Sequence, residues 1–132
     1  MTPHVAKLDH LVLTVRDIDA TVQFYCTALG MIHEPFRVAD GSMRSALRFG
    51  HQKINLHQTG HEFKPHAENP KTGSADLCFL SDTPLDAWIT HLNNNNVPII
   101  EGPIKRTGAR FAILSIYVRD PDGALIEISN QL

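Results

Sequence analysis

Hydrophobic and polar residues alternate in several short stretches of the chain, which is the pattern of β-strands with one buried face. The first stretch, 7–15, is also rich in β-branched residues and predicts a strand. The run 19–29 has apolar residues at helical spacing, with Asp19 as the expected cap and Gly30 just beyond the end. Turn residues then separate three further predicted strands, at 31–38, 43–49 and 52–58.

A polar stretch at 59–74 interrupts this pattern. It holds two glycines and two prolines, which predicts a linker without a packed element. The pattern beyond it predicts a strand at 75–81 and a helix at 83–92, which the asparagines at 93–96 end because asparagine tolerates left-handed backbone. A strong turn at 120–123 precedes the last of three more predicted strands, at 98–105, 111–119 and 124–128.

The elements follow the same order on both sides of the linker, so the chain is a repeat of one β-α-β-β-β module. His10 in the first strand corresponds to Asp76, and Asn55 in the fourth strand corresponds to Glu127. A repeated unit that cannot bury its apolar face alone has to pack against its copy.

We therefore predict an α+β fold in which two βαβββ modules form a cupped, partly open β-barrel. The modules are 7–58 and 75–129, joined by the linker 59–74, and together they make one domain over residues 1–132. A chain of this length is in the commonest size range for a single domain.

Composition narrows the class of protein. Of the 132 residues, 42% are hydrophobic and 20% charged, which is ordinary for a globular domain. A net charge of −2 provides no basic surface for nucleic acid or anionic lipid, so we expect a small-molecule substrate, no nucleic acid and no membrane partner. Cys26 and Cys78 each lie in an apolar segment, which predicts reduced core thiols and a cytoplasmic location.

Five polar residues are predicted to share one face. Neighbouring residues in a strand point to opposite sides, so a polar residue between two apolar ones faces away from the helix-covered side. This alternation sends a common set of side chains to the concave side of one curved sheet: His10, Asn55, His57, Asp76 and Glu127.

Ionisable groups among apolar strands are costly to bury unless they are paired or bound to a metal. The imidazole of His10 with the carboxylates of Asp76 and Glu127 is a suitable set for a divalent cation. Taken singly, His10 is explained as a hydrogen-bonded core histidine and Glu127 as a solvated carboxylate. Their occurrence together at repeat-equivalent positions favours metal binding.

Several segments resemble the vicinal oxygen chelate superfamily, which includes glyoxalase I, fosfomycin- and bleomycin-resistance proteins and extradiol dioxygenases. The resemblance covers 7–130 and is carried by 8–13 (LDHLVL), 24–25 (FY), 29–31 (LGM) and, most specifically, 119–127 (RDPDGALIE). Within the superfamily, the chain is most similar to a glyoxalase-domain subgroup with bacterial virulence proteins, through 55–57 (NLH) and 102–108 (GPIKRTG).

The resemblance implies one divalent metal ion at positions that glyoxalase I fills with His, Glu, His and Glu. These positions fall on His10, Asn55, Asp76 and Glu127, so two match and two differ. The resulting oxygen-rich set favours Mn²⁺, Mg²⁺, Ni²⁺ or Fe²⁺, and Zn²⁺ remains an alternative if His57 joins the ligands.

The function implied is that of a lactoylglutathione-lyase-like isomerase or lyase, with Glu127 or His57 as the catalytic base. Asn55, Arg106 and Tyr117 are the candidate substrate contacts, and a homodimer is expected. One alternative is a small-molecule or antibiotic binding protein without turnover, as in bleomycin resistance. A further alternative is an extradiol-type dioxygenase, which would need His57 in place of Asp76.

Overall fold

The computed structural model describes residues 1–132 and contains two helices and eight strands. Every element predicted from the sequence is present, and the third and fourth strands occupy the predicted residues. In chain order the elements are β1 (His10–Val15), α1 (Ile18–Thr27), β2 (Ile32–Arg37), β3 (Met43–Phe49), β4 (Gln52–Gln58), β5 (Asp76–Leu80), α2 (Leu85–Asn94), β6 (Glu101–Thr107), β7 (Ala112–Arg119) and β8 (Leu125–Gln131).

Two four-stranded mixed sheets have the same topology, which confirms the repeat. The strand order is β1-β4-β3-β2 in the first sheet and β5-β8-β7-β6 in the second, with β1 parallel to β4 and β5 parallel to β8. The register of the parallel strands is also repeated. Val12, two residues after His10, lies opposite Asn55, and Cys78, two residues after Asp76, lies opposite Glu127.

The predicted α+β fold of two βαβββ modules is confirmed, but the modules form two separate sheets and not the single curved sheet that was expected to carry all five polar residues. β1 and β5 are edge strands, and no hydrogen-bonded ladder joins them. Each sheet therefore keeps its own polar face.

One hydrophobic core joins the two sheets and the two helices. Leu13 and Val15 of β1 point into it, as do Leu56 of β4 and Ile128 of β8. Since alternate residues of a strand face opposite ways, the polar faces of both sheets point away from this shared core.

A buried hydrogen bond ties the two halves together. The Tyr25 hydroxyl of α1 donates to Asp120 Oδ2 at 2.7 Å, and Tyr25 is fully buried. The neighbouring Asp122 accepts from Arg16 Nε at 2.7 Å. The turn after β7 therefore anchors both the end of β1 and the first helix.

The helix ends follow local chemistry with one correction. The predicted cap Asp19 lies inside α1, and Asp17 is the cap instead, since its side chain accepts from the Ala20 N–H at 3.0 Å. Asn96 has φ 58°, so the asparagine run ends α2 as predicted. Neither helix is long and apolar enough to cross a membrane.

Candidate active site

The first sheet presents a polar face formed by β1 and β4. His10, Val12 and Thr14 alternate with the buried Leu13 and Val15, and their side chains share the outer face. The parallel register places β4 residues beside them, so this first polar face comprises His10, Val12, Thr14, Asn55 and His57.

His10 is open to solvent at the start of β1. About two-fifths of its side chain is exposed (42%), and Nδ1 lies 2.8 Å from Asp9 Oδ2. A carboxylate on one ring nitrogen fixes the ring and favours Nε2 as the free, ligating nitrogen. His10 is therefore oriented by its neighbour and is not a buried core histidine.

Asn55 has an unsatisfied acceptor. Its Oδ1 is buried and has no hydrogen-bond partner in the chain, the sole such side-chain atom among residues 1–132. A buried polar atom without a partner costs free energy, on the order of 1–3 kcal/mol. Its position on the first polar face, at a predicted ligand position, suits a cation or an incoming donor.

His57 is the most enclosed of the predicted site residues on this face, with 9% exposed. Phe63 from the linker meets its ring edge to face, with centroids 5.3 Å apart, and the guanidinium carbon of Arg44 lies 3.2 Å from the Phe63 ring centroid. Burial, and then the nearby Arg44 charge, lower the pKa of His57. His57 is thus biased towards the neutral imidazole that can act as a base or ligand.

The second sheet presents the corresponding polar face. Asp76 and Cys78 of β5 alternate with core-facing Leu77 and Phe79, and Cys78 lies directly beside Glu127. The register of β7 and β8 completes this second polar face, which comprises Asp76, Cys78, Ser115, Tyr117, Glu127 and Ser129.

Two buried serines hold the Glu127 carboxylate. Ser115 Oγ donates to Glu127 Oε2 at 2.6 Å, and Ser129 Oγ lies 3.5 Å from the same oxygen. The two hydroxyls are 2.7 Å apart, and both serines are fully buried. One carboxylate oxygen is therefore fixed by the sheet, and the hydrogen bonds of Glu127 do not use Oε1.

Sequence reasoning did not identify these serines as hydrogen-bond partners of Glu127. Ser115 interrupts the apolar run of β7, and Ser129 lies two residues after Glu127 on the same side of β8, and these positions were the available signal. Phe63 and Arg44 were also missed, because a linker contact leaves no periodic pattern in the sequence.

Arg106 and Tyr117 interact with each other as well as lying near Glu127. Arg106 Nε donates to the Tyr117 hydroxyl at 2.9 Å, and Arg106 also lies 3.7 Å from the Glu101 carboxylate. The hydrogen bond to Tyr117 raises the pKa of Arg106. The guanidinium is thus already oriented, with one exposed carboxylate partly neutralising it.

The prediction that both cysteines are core thiols was wrong for Cys78. Its side chain is on the Glu127 side of β5 and is exposed, whereas Cys26 is half-buried beside the core. The apolar neighbours of Cys78 in β5 point to the opposite side of the strand. The apolar character of the whole segment therefore did not reveal that Cys78 is exposed. Partial burial raises the pKa of the Cys78 thiol.

Two cavities lie against these faces, one on each. A cavity of about 430 Å³ lies between the linker and the first sheet and includes His57 and Thr14. A second cavity of about 490 Å³ lies on the second sheet and includes Glu127, Cys78 and Arg106. Both sizes are those of small-molecule sites.

A family model described as "Glyoxalase/Bleomycin resistance protein/Dioxygenase superfamily" matches residues 7–128. The chain belongs to this superfamily. The match runs from just before β1 to within β8 and so includes the first polar face and all of the second except Ser129.

Several proteins of this superfamily resemble the chain along almost its full length. It is 50% identical over 125 residues to virulence protein STM3117 of Salmonella typhimurium, covering 95% of this chain and 84% of the relative. Glyoxalase domain-containing protein RDO1 of Mycosarcoma maydis is 54% identical over 127 residues, covering 96% of this chain and 69% of the relative.

A more distant sequence relative and a solved structure extend these comparisons. The metallothiol transferase FosB of Staphylococcus epidermidis is 27% identical over 124 residues, covering 94% of this chain and 81% of the relative. A protein from the mobile metagenome of V. Pseudocholerae superposes with a TM-score of 0.93 at 56% identity, covering 98% of each chain.

In this member of the superfamily the predicted ligand positions divide into two half-sites. The first polar face holds His10, Asn55 and His57, and the second holds Asp76 and Glu127. Within one chain, no three histidine, cysteine, aspartate or glutamate side chains are close enough to share a metal ion. The orphaned Asn55 Oδ1 and the fixed Glu127 carboxylate nevertheless have the donor chemistry that a divalent cation requires.

Proposed function

We propose that the chain is a metal-dependent, glyoxalase-like enzyme, an isomerase or lyase of the lactoylglutathione lyase type acting on a small oxygenated substrate. The observation that carries this proposal is the buried, unpartnered Asn55 Oδ1 at a ligand position of the first polar face. A cation satisfies an oxygen acceptor held out of water. The printed name of the relative FosB, a metallothiol transferase, is consistent with metal chemistry in this superfamily.

The proposed ligands are His10, Asp76 and Glu127, with Asn55 or His57 completing the set. Two carboxylates supply formal charge that balances a divalent ion, and the two imidazoles supply nitrogen donors. Because Asp9 accepts or shares a proton at His10 Nδ1, Nε2 is the nitrogen that would hold the ion.

A divalent ion bound there would polarise two neighbouring substrate oxygens and stabilise negative charge developing on them. Glu127 is the proposed base, because Ser115 fixes Oε2 and the hydrogen bonds of the chain leave Oε1 to take and return a substrate proton. His57 is the alternative base, since its lowered pKa favours the neutral form. Asn55, Arg106 and Tyr117 would contact the substrate.

The proposed site is completed by a second copy of the chain. The half-sites lie on separate sheets whose polar faces point away from the common core, and one chain does not bring three ligands together. The edge strands β1 and β5 leave unpaired backbone groups beside the half-sites, and an exposed apolar residue lies on β1, Val12 (46%). A symmetric homodimer could place each first polar face against a second polar face and form two equal sites.

A second candidate function is small-molecule binding without turnover. The side chain of Asn55 is an amide, which cannot act as a base. The cavity on the second sheet is also large enough to bind a ligand by itself. We further propose a cytoplasmic location for a chain whose two cysteines are both free thiols.

Metal analysis of protein purified without chelator tests the proposed function. We expect about one divalent ion per chain, its loss in His10→Ala and Glu127→Gln, and retention in the exposed linker control His61→Ala. Hemithioacetal isomerisation, assayed with Mn²⁺, Ni²⁺ and Zn²⁺ in turn, then tests the reaction. A protein that binds none of these ions, and whose melting temperature ignores them, would support binding without turnover instead.

A further inference from the structure

The cavity on the second sheet has walls of two different kinds. It measures about 490 Å³ and is formed by β5, β8 and the loop joining β6 to β7. Apolar side chains make one wall, from Leu80, Phe111 and Ile113. Guanidinium groups make the rim, from Arg106 and Arg110.

The apolar wall is open to solvent in the single chain. Leu80 is 67% exposed and Phe111 is 43% exposed, while Ile113 beneath them is 4% exposed. Large exposed apolar residues that meet at one cavity mark a surface that an apolar group can cover. The wall therefore suits a hydrocarbon or aromatic part of a ligand.

The two arginines of the rim differ in their partners. Arg106 is oriented by Tyr117 and lies 3.7 Å from the Glu101 carboxylate. Arg110 has no carboxylate within 4.0 Å, and its guanidinium lies 5.1 Å from the Phe111 ring centroid. An unpaired guanidinium beside an apolar wall is well suited to a carboxylate or phosphonate, which it can bind with two parallel hydrogen bonds.

The loop that carries Arg110 and Phe111 is tightly closed. The Gly108 N–H donates to the Phe111 carbonyl oxygen at 2.9 Å, and a Cβ on Gly108 would lie 2.5 Å from that oxygen. Only glycine allows this approach. The close turn keeps the cation and the aromatic ring together at the rim of the cavity.

Glu127 also lines this cavity and constrains the orientation of a charged ligand. Its carboxylate repels an anionic group, so the anion belongs at Arg110 and the neutral part of the ligand extends along Leu80 towards Glu127. We infer that this cavity binds an amphipathic organic anion, with a carboxylate or phosphonate at Arg110 and an apolar arm against Leu80, Phe111 and Ile113. If this ligand is the substrate of the active site, the inference rests on the proposed function. If the cavity only binds the ligand, the inference rests on the cavity alone.

Phenylphosphonate is the probe, compared with methylphosphonate, which lacks the apolar arm, and benzyl alcohol, which lacks the charge. We expect calorimetric titration of the full chain to give an affinity for phenylphosphonate at least about tenfold above either control. Arg110→Gln should reduce that affinity by about tenfold. The matched control is Arg119→Gln, because Arg119 donates to the Gly123 carbonyl oxygen and lies outside the cavity.

The titration is repeated with chelator and with added Mn²⁺ to separate the two proposals. Binding that persists with chelator and depends on Arg110 supports the inference even if the protein takes no metal. Binding that needs the metal and ignores Arg110→Gln overturns the inference while leaving the metal site intact. Equal affinities for the three probes, or a strong preference for benzyl alcohol, would also overturn it.

Discussion

Ser115 Oγ lies 2.6 Å from Glu127 Oε2, and both residues face the same side of the adjacent strands β7 and β8. Ser115 is fully buried, so water does not compete for its hydroxyl. The bond converts a flexible glutamate into a carboxylate with one fixed oxygen. Hydrogen-bond partners of this kind orient metal ligands and bases. Their loss lowers metal affinity or activity more than it lowers the stability of the fold.

Ser115→Ala should therefore weaken metal binding by about tenfold, since Glu127 loses its short hydrogen bond. The measurement is metal affinity by competition with a chelating dye, together with unfolding in urea. Ser129→Ala is the comparison, because its hydroxyl is 3.5 Å from the same carboxylate oxygen and should matter less. Equal metal affinities for wild type and Ser115→Ala would show that Glu127 does not need this contact.

Tyr25→Phe should lower the free energy of unfolding by about 2 kcal/mol, because it removes a buried hydrogen bond to the Asp120 carboxylate. Burial, and then the nearby Asp120 charge, raise the pKa of Tyr25, which favours the protonated phenol that donates this hydrogen bond. Urea unfolding measures the change. Tyr117→Phe, whose hydroxyl accepts from the half-buried Arg106, should cost clearly less. If Tyr25→Phe loses no more unfolding free energy than Tyr117→Phe, the hydrogen bond between Tyr25 and Asp120 does not stabilise the contact between the two halves.

The lowered pKa of His57 predicts a dependence of stability on pH. The unfolded chain takes up a proton on His57 near the ordinary value of 6.5, while the folded chain resists protonation until the pH falls further. Unfolding free energy should therefore fall as the pH drops from about 6.5 through the lowered pKa. Arg44 and His66 act in the same direction and Glu62 opposes them.

Urea unfolding at pH 7.5 and pH 5.5 measures this slope, and His57→Gln should reduce it. His61→Gln is the matched control, since His61 is exposed in the linker. A slope that is the same in wild type and His57→Gln would mean that burial of the imidazole does not oppose its protonation.

Alternation along the strands predicted the repeat and the side of each strand that is buried, but it placed the polar residues of both modules on one common face. Residues 10 and 76 and residues 55 and 127 were matched by sequence alone, and the sheet register places each pair equivalently. This worked because a shift of one residue would turn every apolar side chain outward. The side of the strand on which each candidate lies was therefore strongly specified.

The relation between the two sheets could not be predicted in the same way. Periodicity specifies which side of a strand is buried, but it does not specify which neighbour covers that side. The helix-bearing sides of the two sheets bury each other in one core, so His10 and Glu127 belong to different faces of the chain. The position of the helix cap, at Asp17 and not at Asp19, is a second feature that the sequence pattern did not specify. Two aspartates only two residues apart are both suitable caps in a sequence pattern.

Mixing two inactive variants tests the shared site most directly. His10→Ala damages the first polar face and Glu127→Gln damages the second, so neither protein alone should retain metal. In a mixed dimer with shared sites, one site carries both changes and the other carries neither. Random pairing after co-expression should therefore restore about a quarter of the metal bound by wild type, and a similar share of any isomerase activity. Mixed dimers that recover no metal, while wild type holds about one ion per chain, would contradict a site built from two copies.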